Sequence, residues 1–98
     1  MILDMSNFGE MLMSRSSGRE DFLKAEAYIF SNNDDKSVIL DFAKVKVLAP
    51  SWADEFITAL KNKNMYNIEY INTDNQSVSA TLQMLLNPID VTKFEKKI

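Results

Sequence analysis

The fold is decided by the stretch Val38-Ile39-Leu40-Asp41-Phe42 and the stretch Val47-Leu48-Ala49-Pro50-Ser51-Trp52-Ala53-Asp54-Glu55-Phe56 that follows it. The first begins with a continuous apolar run, which is typical of a strand covered on both faces, because neither face then meets water. We therefore predict a strand over 38–42 in the centre of a sheet. We predict that residues 45–48 form a short segment that bridges this strand and the next helix.

A helix over about 51–62 is predicted next. Ser51 is a candidate N-cap, because a serine oxygen accepts a backbone N–H of the first helical turn. Asp54 and Glu55 lie near the start, where negative charge complements the helix dipole, and Lys61 has the opposite charge near the end. The apolar side chains recur at helical spacing, which places Trp52, Phe56, Ile57 and Leu60 on one side of this helix.

Two further helices flank this one along the chain. The sequence Ser17-Gly18-Arg19-Glu20 has the spacing of a capping box, so we predict a helix over about 18–31. Asp74 or Asn75 is the expected cap of a last helix over about 75–86, which Asn87-Pro88 ends.

The remaining segments complete an α/β pattern. We predict a strand over 66–72 and weaker strands over 2–4 and 10–14, whereas 88–98 is an edge strand, a short helix or a frayed tail. Strands that alternate with helices require crossover connections, which place neighbouring strands parallel. The 98 residues suffice for one core, so 1–98 is treated as a single domain.

The composition excludes several classes of function. The chain has no cysteine and no histidine, which excludes a disulfide, a thiolate or imidazole metal site and a histidine-based triad. A net charge of −3 argues against a nucleic-acid binder. No apolar run approaches the roughly 20 residues that cross a bilayer. We expect a cytoplasmic protein with no metal, no cofactor, and no nucleic-acid or membrane partner.

The acidic and glycine motifs do not combine into an active site. Asp54 and Glu55 are adjacent on a helix, so they project about 100° apart and cannot converge on one substrate atom. Asp34-Asp35 lacks the glycine and the distant glutamate of a calcium loop. Gly18 lacks the lysine that follows the glycines of a phosphate loop. We therefore expect no enzymatic activity.

Ser51 is the strongest candidate for a functional residue. A hydroxyl at a helix N-terminus is often accessible and could carry a phosphate group, which the backbone donors there would stabilise. The alternative is an N-cap with no further role. Trp52 lies in the first turn, where burial is often partial, so both a core position and an exposed docking position stay open.

The order of elements and two pieces of sequence resemble the STAS family, named for sulfate transporters and anti-sigma factor antagonists. The pieces are the strand that ends in Leu40-Asp41-Phe42 and the helix start Ser51-Trp52-Ala53-Asp54-Glu55. Upstream, Ser14-Arg15-Ser16-Ser17-Gly18-Arg19 is similar to the start of the preceding helix in a bacterial STAS-like branch. The resemblance covers about residues 10–86 and is most specific in the second piece.

This resemblance implies a four- or five-stranded, mostly parallel or mixed sheet flanked by helices. It also implies a regulatory module that binds a protein, commonly a switch kinase with an ATPase-like fold. In anti-sigma factor antagonists such a kinase phosphorylates a serine at the start of the second helix, and Ser51 is the nearest match. Those antagonists carry Asp-Ser-Ser-Gly where this chain has Ala49-Pro50-Ser51-Trp52.

Two hypotheses of function follow. The first is a protein-binding regulatory module that is not an enzyme, with a partner-binding surface at Pro50, Ser51, Trp52 and Glu55. The second is a small-ligand or nucleotide sensor that uses the N-terminus of the same helix as an anion site.

Overall fold

Helices and strands alternate along the chain in the computed structural model, which describes residues 1–32, 36–62 and 66–86. The elements are β1 (Ile2–Asp4), β2 (Met11–Leu12), α1 (Arg15–Tyr28), β3 (Ser37–Asp41), β4 (Val47–Leu48), α2 (Pro50–Asn62), β5 (Asn67–Ile71) and α3 (Gln76–Leu86). Predictions for the Asp34-Asp35 turn, for the helix stop at Asn87-Pro88 and for the tail over 88–98 lie outside the described residues.

The strands of the described ranges form two parallel sheets. β3 lies between β1 and β5 in a three-stranded sheet, and β2 pairs with β4 in a two-stranded sheet. The register aligns Leu3, Leu40 and Tyr70 across the larger sheet. The predicted α/β class with parallel strands is confirmed. The five strands are divided between two sheets, because β2 and β4 pair with each other and not with the larger sheet.

The central strand β3 is buried mainly on one face. Val38 and Leu40 are fully buried, whereas Ile39 between them is only partly buried. Ile2, which is paired with Ile39 in the neighbouring strand, is 66% exposed. The prediction that both faces of this strand are covered was therefore wrong for the described residues, because the core lies on the Val38 side.

The first helix begins at Arg15 and not near residue 18. Ser14 has an extended backbone and is the N-cap, since its Oγ accepts a hydrogen bond from the backbone N–H of Ser17 at 3.1 Å. Ser17 thus lies inside the first turn, and the capping-box prediction was wrong. Several serines stand close together in this stretch, so local spacing alone did not identify the cap.

The helices α1 and α2 approach each other closely at Gly18. This residue is buried, and a Cβ there would lie 2.6 Å from the carbonyl oxygen of Trp52. Glycine is required here because only a residue without a side chain leaves room for the backbone of α2. The contact places the beginning of α1 beside the first turn of α2.

Aromatic side chains fill the core between these two helices. The rings of Trp52 and Phe56 are stacked, with centroids 4.9 Å apart and planes inclined by 10°. Phe22 meets Phe56 edge-on at 5.8 Å. Both arrangements suit the charge distribution of aromatic rings and add to the stabilisation from burial. Phe56 is fully buried, which confirms its predicted place in the core.

The last helix is capped by Asn75, one of the two predicted residues. Its Oδ1 accepts hydrogen bonds from the backbone N–H groups of Ser77 at 2.8 Å and Val78 at 3.2 Å. Its Nδ2 donates to the carbonyl oxygen of Lys46 at 3.1 Å. The cap therefore also joins α3 to the segment that enters β4.

Candidate functional site

The candidate site lies where the end of β2 meets the first turn of α2. Leu12 pairs with Leu48 in the smaller sheet, and the backbone N–H of Ala49 donates to the Leu12 carbonyl at 2.8 Å. Next to this contact, the Oγ of Ser51 donates a hydrogen bond to the carbonyl oxygen of Met13 at 3.1 Å. Ser51 thus joins α2 to the segment between β2 and α1.

Ser51 is the second residue of α2 and not its N-cap. The helix begins at Pro50, and proline suits that position because its φ is already helical and it lacks an N–H that the helix could not use. The carbonyl of Ala49 accepts the N–H of Ala53 at 3.1 Å and closes the first turn. The N-cap prediction was therefore wrong. The Ser51 side chain is partly exposed, and its phosphorylation stays a prediction.

Trp52 belongs to the core and not to the surface. It is fully buried, and its Nε1 donates a hydrogen bond to Oδ2 of Asp21 in α1 at 3.1 Å. Successive helical residues are rotated by about 100°, so Ser51 lies at the surface while Trp52 faces inward. Including Trp52 in the partner-binding surface was therefore wrong. Pro50 is exposed and Glu55 partly exposed, so both remain at the surface.

Two arginines of α1 hold the acidic residues at the start of α2. Arg15 donates to Asp54 at 2.9 Å and to Glu55 at 3.4 Å, and Arg19 donates to Glu55 at 3.2 Å. The hydrogen bond from Arg15 lowers the pKa of Asp54, and the same bond raises the pKa of Arg15. These pairs are exposed to solvent, so they orient the two helices and add little stability.

From the sequence, Asp54 and Glu55 were assigned to the helix dipole and Glu55 also to the partner-binding surface, but neither was paired with Arg15 or Arg19. A signal was present, because Arg15 and Arg19 are four residues apart and lie on one side of a helix. Without the position of α2, that signal did not identify a partner for either charge.

Two exposed methionines lie in the segment that Ser51 contacts. Met11 is 61% and Met13 is 51% exposed, whereas Leu12 between them is buried. Side chains alternate along an extended chain, so the two methionines share one side. We call Met11, Met13, Pro50 and Ser51 the methionine face. The alternation was visible in the sequence, but these residues were interpreted only as a weak strand.

Comparison with protein families matches residues 22–78 to a family described as a STAS-like domain of unknown function (DUF4325). The matched residues make up more than half of the sequence. The chain belongs to this STAS-like family. The resemblance inferred from the sequence is thereby confirmed. No curated protein and no solved structure matches the chain.

The STAS-like match runs from α1 to the beginning of α3, so it includes β3 and the whole of α2. Ser51 and Pro50 lie within it. Met11, Met13 and Arg15 lie before it. The methionine face therefore combines residues inside the matched region with residues outside it.

A second polar region of this STAS-like domain lies at the carboxyl ends of β3 and β5. A cavity of about 360 Å³ there is lined by Phe42, Asn72 and Asp74 among others. Asp41 beside it accepts hydrogen bonds from Nδ2 of Asn72 at 2.8 Å and from the N–H of Ala43 at 3.0 Å. Because these polar groups bond to one another, the methionine face is the stronger candidate for binding.

Within the ranges 1–32, 36–62 and 66–86, acidic side chains form no group of three or more that could hold a metal ion. No helix of those ranges has the length and apolar character needed to cross a membrane.

Proposed function

We propose that this STAS-like domain is a regulatory protein-binding module of the cytoplasm, without enzymatic activity, and that the methionine face receives its partner. The observation that carries the proposal is the hydrogen bond from the Ser51 hydroxyl to the backbone carbonyl of Met13, which joins Ser51 to a segment with exposed apolar side chains. Exposed apolar groups next to a few polar ones are typical of protein interfaces. Methionine side chains adapt readily to the shape of a partner.

Ser51 is the position at which we propose that binding is regulated. In the structure its hydroxyl donates to the Met13 carbonyl at 3.1 Å. A phosphate on Ser51 would carry about −1.5 to −2 charges at neutral pH and present acceptor oxygens in place of a donor. The bond to Met13 would break, and the two oxygens would repel each other. Phosphorylation would therefore change both the shape and the charge of the methionine face.

The proposed partner is an ATPase-like switch kinase or a related regulator. Membership of a STAS-like family supports this choice, together with the position of Ser51 near the start of the second helix. Glu55 lies one turn after Ser51 on the same helix and is engaged by two arginines, so it borders the face as a neutralised group. An apolar patch with little net charge at its border suits a partner with an apolar pocket.

The nucleotide-sensor hypothesis receives less support from this geometry. An anion at the start of α2 would face the carbonyl oxygen of Met13, which accepts the hydrogen bond of Ser51. The nearby Arg15 and Arg19 are already paired with Asp54 and Glu55. The carbonyl oxygen opposes the favourable field of the helix N-terminus, and the paired arginines do not offset it, so a protein surface is the better-supported ligand.

Partner capture with matched variants tests the proposal. Tagged wild-type domain and the double variant Met11→Gln/Met13→Gln are used to recover proteins from the native cell, and the Kd of the recovered partner is then measured with purified components. We expect the double variant to bind at least tenfold more weakly, a loss of about 1.4 kcal/mol. Leu23→Gln is the control, because Leu23 is 50% exposed on α1 and lies outside the face.

Substitutions of Ser51 then test regulation. Ser51→Thr keeps the hydroxyl and should bind within about twofold of wild type, a difference of about 0.4 kcal/mol. Ser51→Asp places a carboxylate against the Met13 carbonyl and should weaken binding tenfold or more. Equal partner affinity of the methionine double variant and wild type would refute the proposal. A rise in melting temperature with a nucleotide, without any recovered partner, would favour the sensor instead.

A further inference from the structure

Arg15 lies about one helical turn from Ser51, across the contact between α1 and α2. Its Nη1 donates to Oδ2 of Asp54 at 2.9 Å and to Oε1 of Glu55 at 3.4 Å. Asp54 and Glu55 follow Ser51 by three and four residues. Residues with that spacing are direct neighbours on one side of a helix, with Cβ atoms about 5–6 Å apart. The guanidinium group of Arg15 is therefore held by the two helical neighbours of Ser51.

The backbone brings Arg15 to the same place. The Oγ of Ser51 donates to the carbonyl oxygen of Met13 at 3.1 Å, and Met13 precedes Arg15 by only two residues. Side chains of a helix lean towards its N-terminus, so the carboxylates of Asp54 and Glu55 extend over the turn that contains Ser51. The short segment from Met13 to Arg15 and the ion pairs with α2 thus both place the cation near the hydroxyl.

The ion pair between Arg15 and Asp54 is able to exchange partners. The two side chains are 52% and 43% exposed, so breaking the pair buries neither charge. Thr58 donates a hydrogen bond to Oδ1 of Asp54 at 3.1 Å, which the carboxylate keeps when the arginine leaves. Arg19 remains on Glu55 at 3.2 Å. Because exposed ion pairs contribute little stability, the movement of Arg15 costs little.

A phosphate group on Ser51 would be a stronger partner for the arginine than a carboxylate. It carries about −1.5 to −2 charges at neutral pH and offers three strong acceptor oxygens. A guanidinium group binds such oxygens through two parallel hydrogen bonds. The phosphate dianion has no proton to donate to the Met13 carbonyl, so it would turn away from that oxygen. The nearest cation described above is Arg15.

We propose that phosphorylation of Ser51 transfers Arg15 from Asp54 to the phosphate group. This exchange rests on the proposed function, since it requires a phosphate on the same hydroxyl. It partly neutralises the phosphate and releases the carboxylate of Asp54 to solvent. Phosphorylation then rearranges the charges that border the methionine face in addition to adding a new one.

Phosphorus NMR of the full chain, with phosphoserine encoded at position 51, tests the exchange. The second pKa of a phosphoserine is about 6, and a guanidinium group in contact lowers this pKa because it favours the dianion. We expect the phosphate pKa to lie at least about 0.5 lower with Arg15 than in Arg15→Gln. Arg19→Gln is the matched control, since it removes the same charge one turn further along α1, and it should change the phosphate pKa by less than about 0.2.

The variant Asp54→Asn shows which group holds Arg15 in the phosphorylated chain. If the arginine has already moved, removing the carboxylate should change the phosphate pKa by less than about 0.3. Equal phosphate pKa values with Arg15 and in Arg15→Gln would overturn the proposal. So would an effect of Arg15→Gln that appears only together with Asp54→Asn, because Asp54 would then be holding the arginine.

A second measurement needs no further variant. The guanidinium N–H resonances of Arg15 should follow the titration of the phosphate, and they should move more than those of Arg19. Arg15 resonances that do not respond would refute the exchange, even where a variant fails to fold. Because the phosphate is encoded and no partner is present, the two proposals fail separately. Unsuccessful partner capture refutes the proposed function, whereas an unchanged phosphate pKa refutes the exchange alone.

Discussion

Replacing Gly18 by alanine would test the close packing of α1 on α2. In an exposed helix, alanine is more favourable than glycine by about 0.8–1.0 kcal/mol, because glycine loses more backbone freedom on folding. At Gly18 the added Cβ would lie 2.6 Å from the carbonyl oxygen of Trp52, which is 0.8 Å less than the 3.4 Å at which ordinary contacts begin. A second contact, to the Cα of Trp52, would be 3.0 Å.

Both contacts are with the backbone of α2, so relief requires the two helices to separate. Separation loosens the packing of the fully buried Trp52 and Phe56. Overpacking of this kind costs about 1–3 kcal/mol, and the upper end applies because no flexible side chain can move away. Subtracting the gain of about 1 kcal/mol in helix propensity leaves an expected loss of about 2 kcal/mol in the free energy of unfolding.

Urea unfolding followed by circular dichroism measures this loss. Lys24→Ala and Lys24→Gly are the controls, because Lys24 is exposed in the same helix and reports helix propensity without a contact. We expect Lys24→Gly to be less stable than Lys24→Ala by about 0.8–1.0 kcal/mol. A Gly18→Ala variant with a higher urea midpoint than wild type would refute the reasoning, since propensity would then outweigh packing.

Three further outcomes are expected. Phe56→Ala should lower the free energy of unfolding by about 3–5 kcal/mol, and a calorimetric loss below about 1 kcal/mol would contradict its burial. Asn75→Ala should cost about 1 kcal/mol, whereas Asn75→Asp, which keeps the cap but loses the bond to Lys46, should cost less in thermal melts. Burial raises the pKa of Tyr70 to about 12 from its ordinary value of 10.0, so its contribution to stability is complete below pH 10 and is lost as pH rises towards 12. Tyr70→Phe should reduce this alkaline loss, and equal urea midpoints of both proteins across that range would contradict it.

Most elements were predictable because their signals are local. The apolar spacing in α2, the run in β3 and the polar cap at Asn75 each depend on residues within a few positions of one another. Hydrophobic periodicity and capping report such short-range preferences directly. The α/β class followed from the order of the elements, since parallel pairing requires a crossover between neighbouring strands.

The composition of the candidate site was only partly predictable. Ser51 and Pro50 were identified at the correct end of α2, but Trp52 was left open between core and surface, and Met13 was interpreted only as part of a weak strand. Which residues of a first helical turn face inward depends on the direction from which the rest of the chain packs against it. The assembled fold sets that direction. At a helix end, hydrophobic periodicity alone does not show which side chains face inward.

The amino-acid sequence by itself determined which segments form helices and strands, that the chain carries no thiol or imidazole, and that it resembles the STAS family. Tertiary structure decided the contacts between segments distant in sequence. Arg15 reaches Asp54, Ser51 reaches Met13, and Gly18 is required because the backbone of Trp52 passes beside it. The physical reason is that each of these contacts depends on how α1 and β2 lie against α2. That arrangement results from the burial of the whole core and not from the preferences of any one segment.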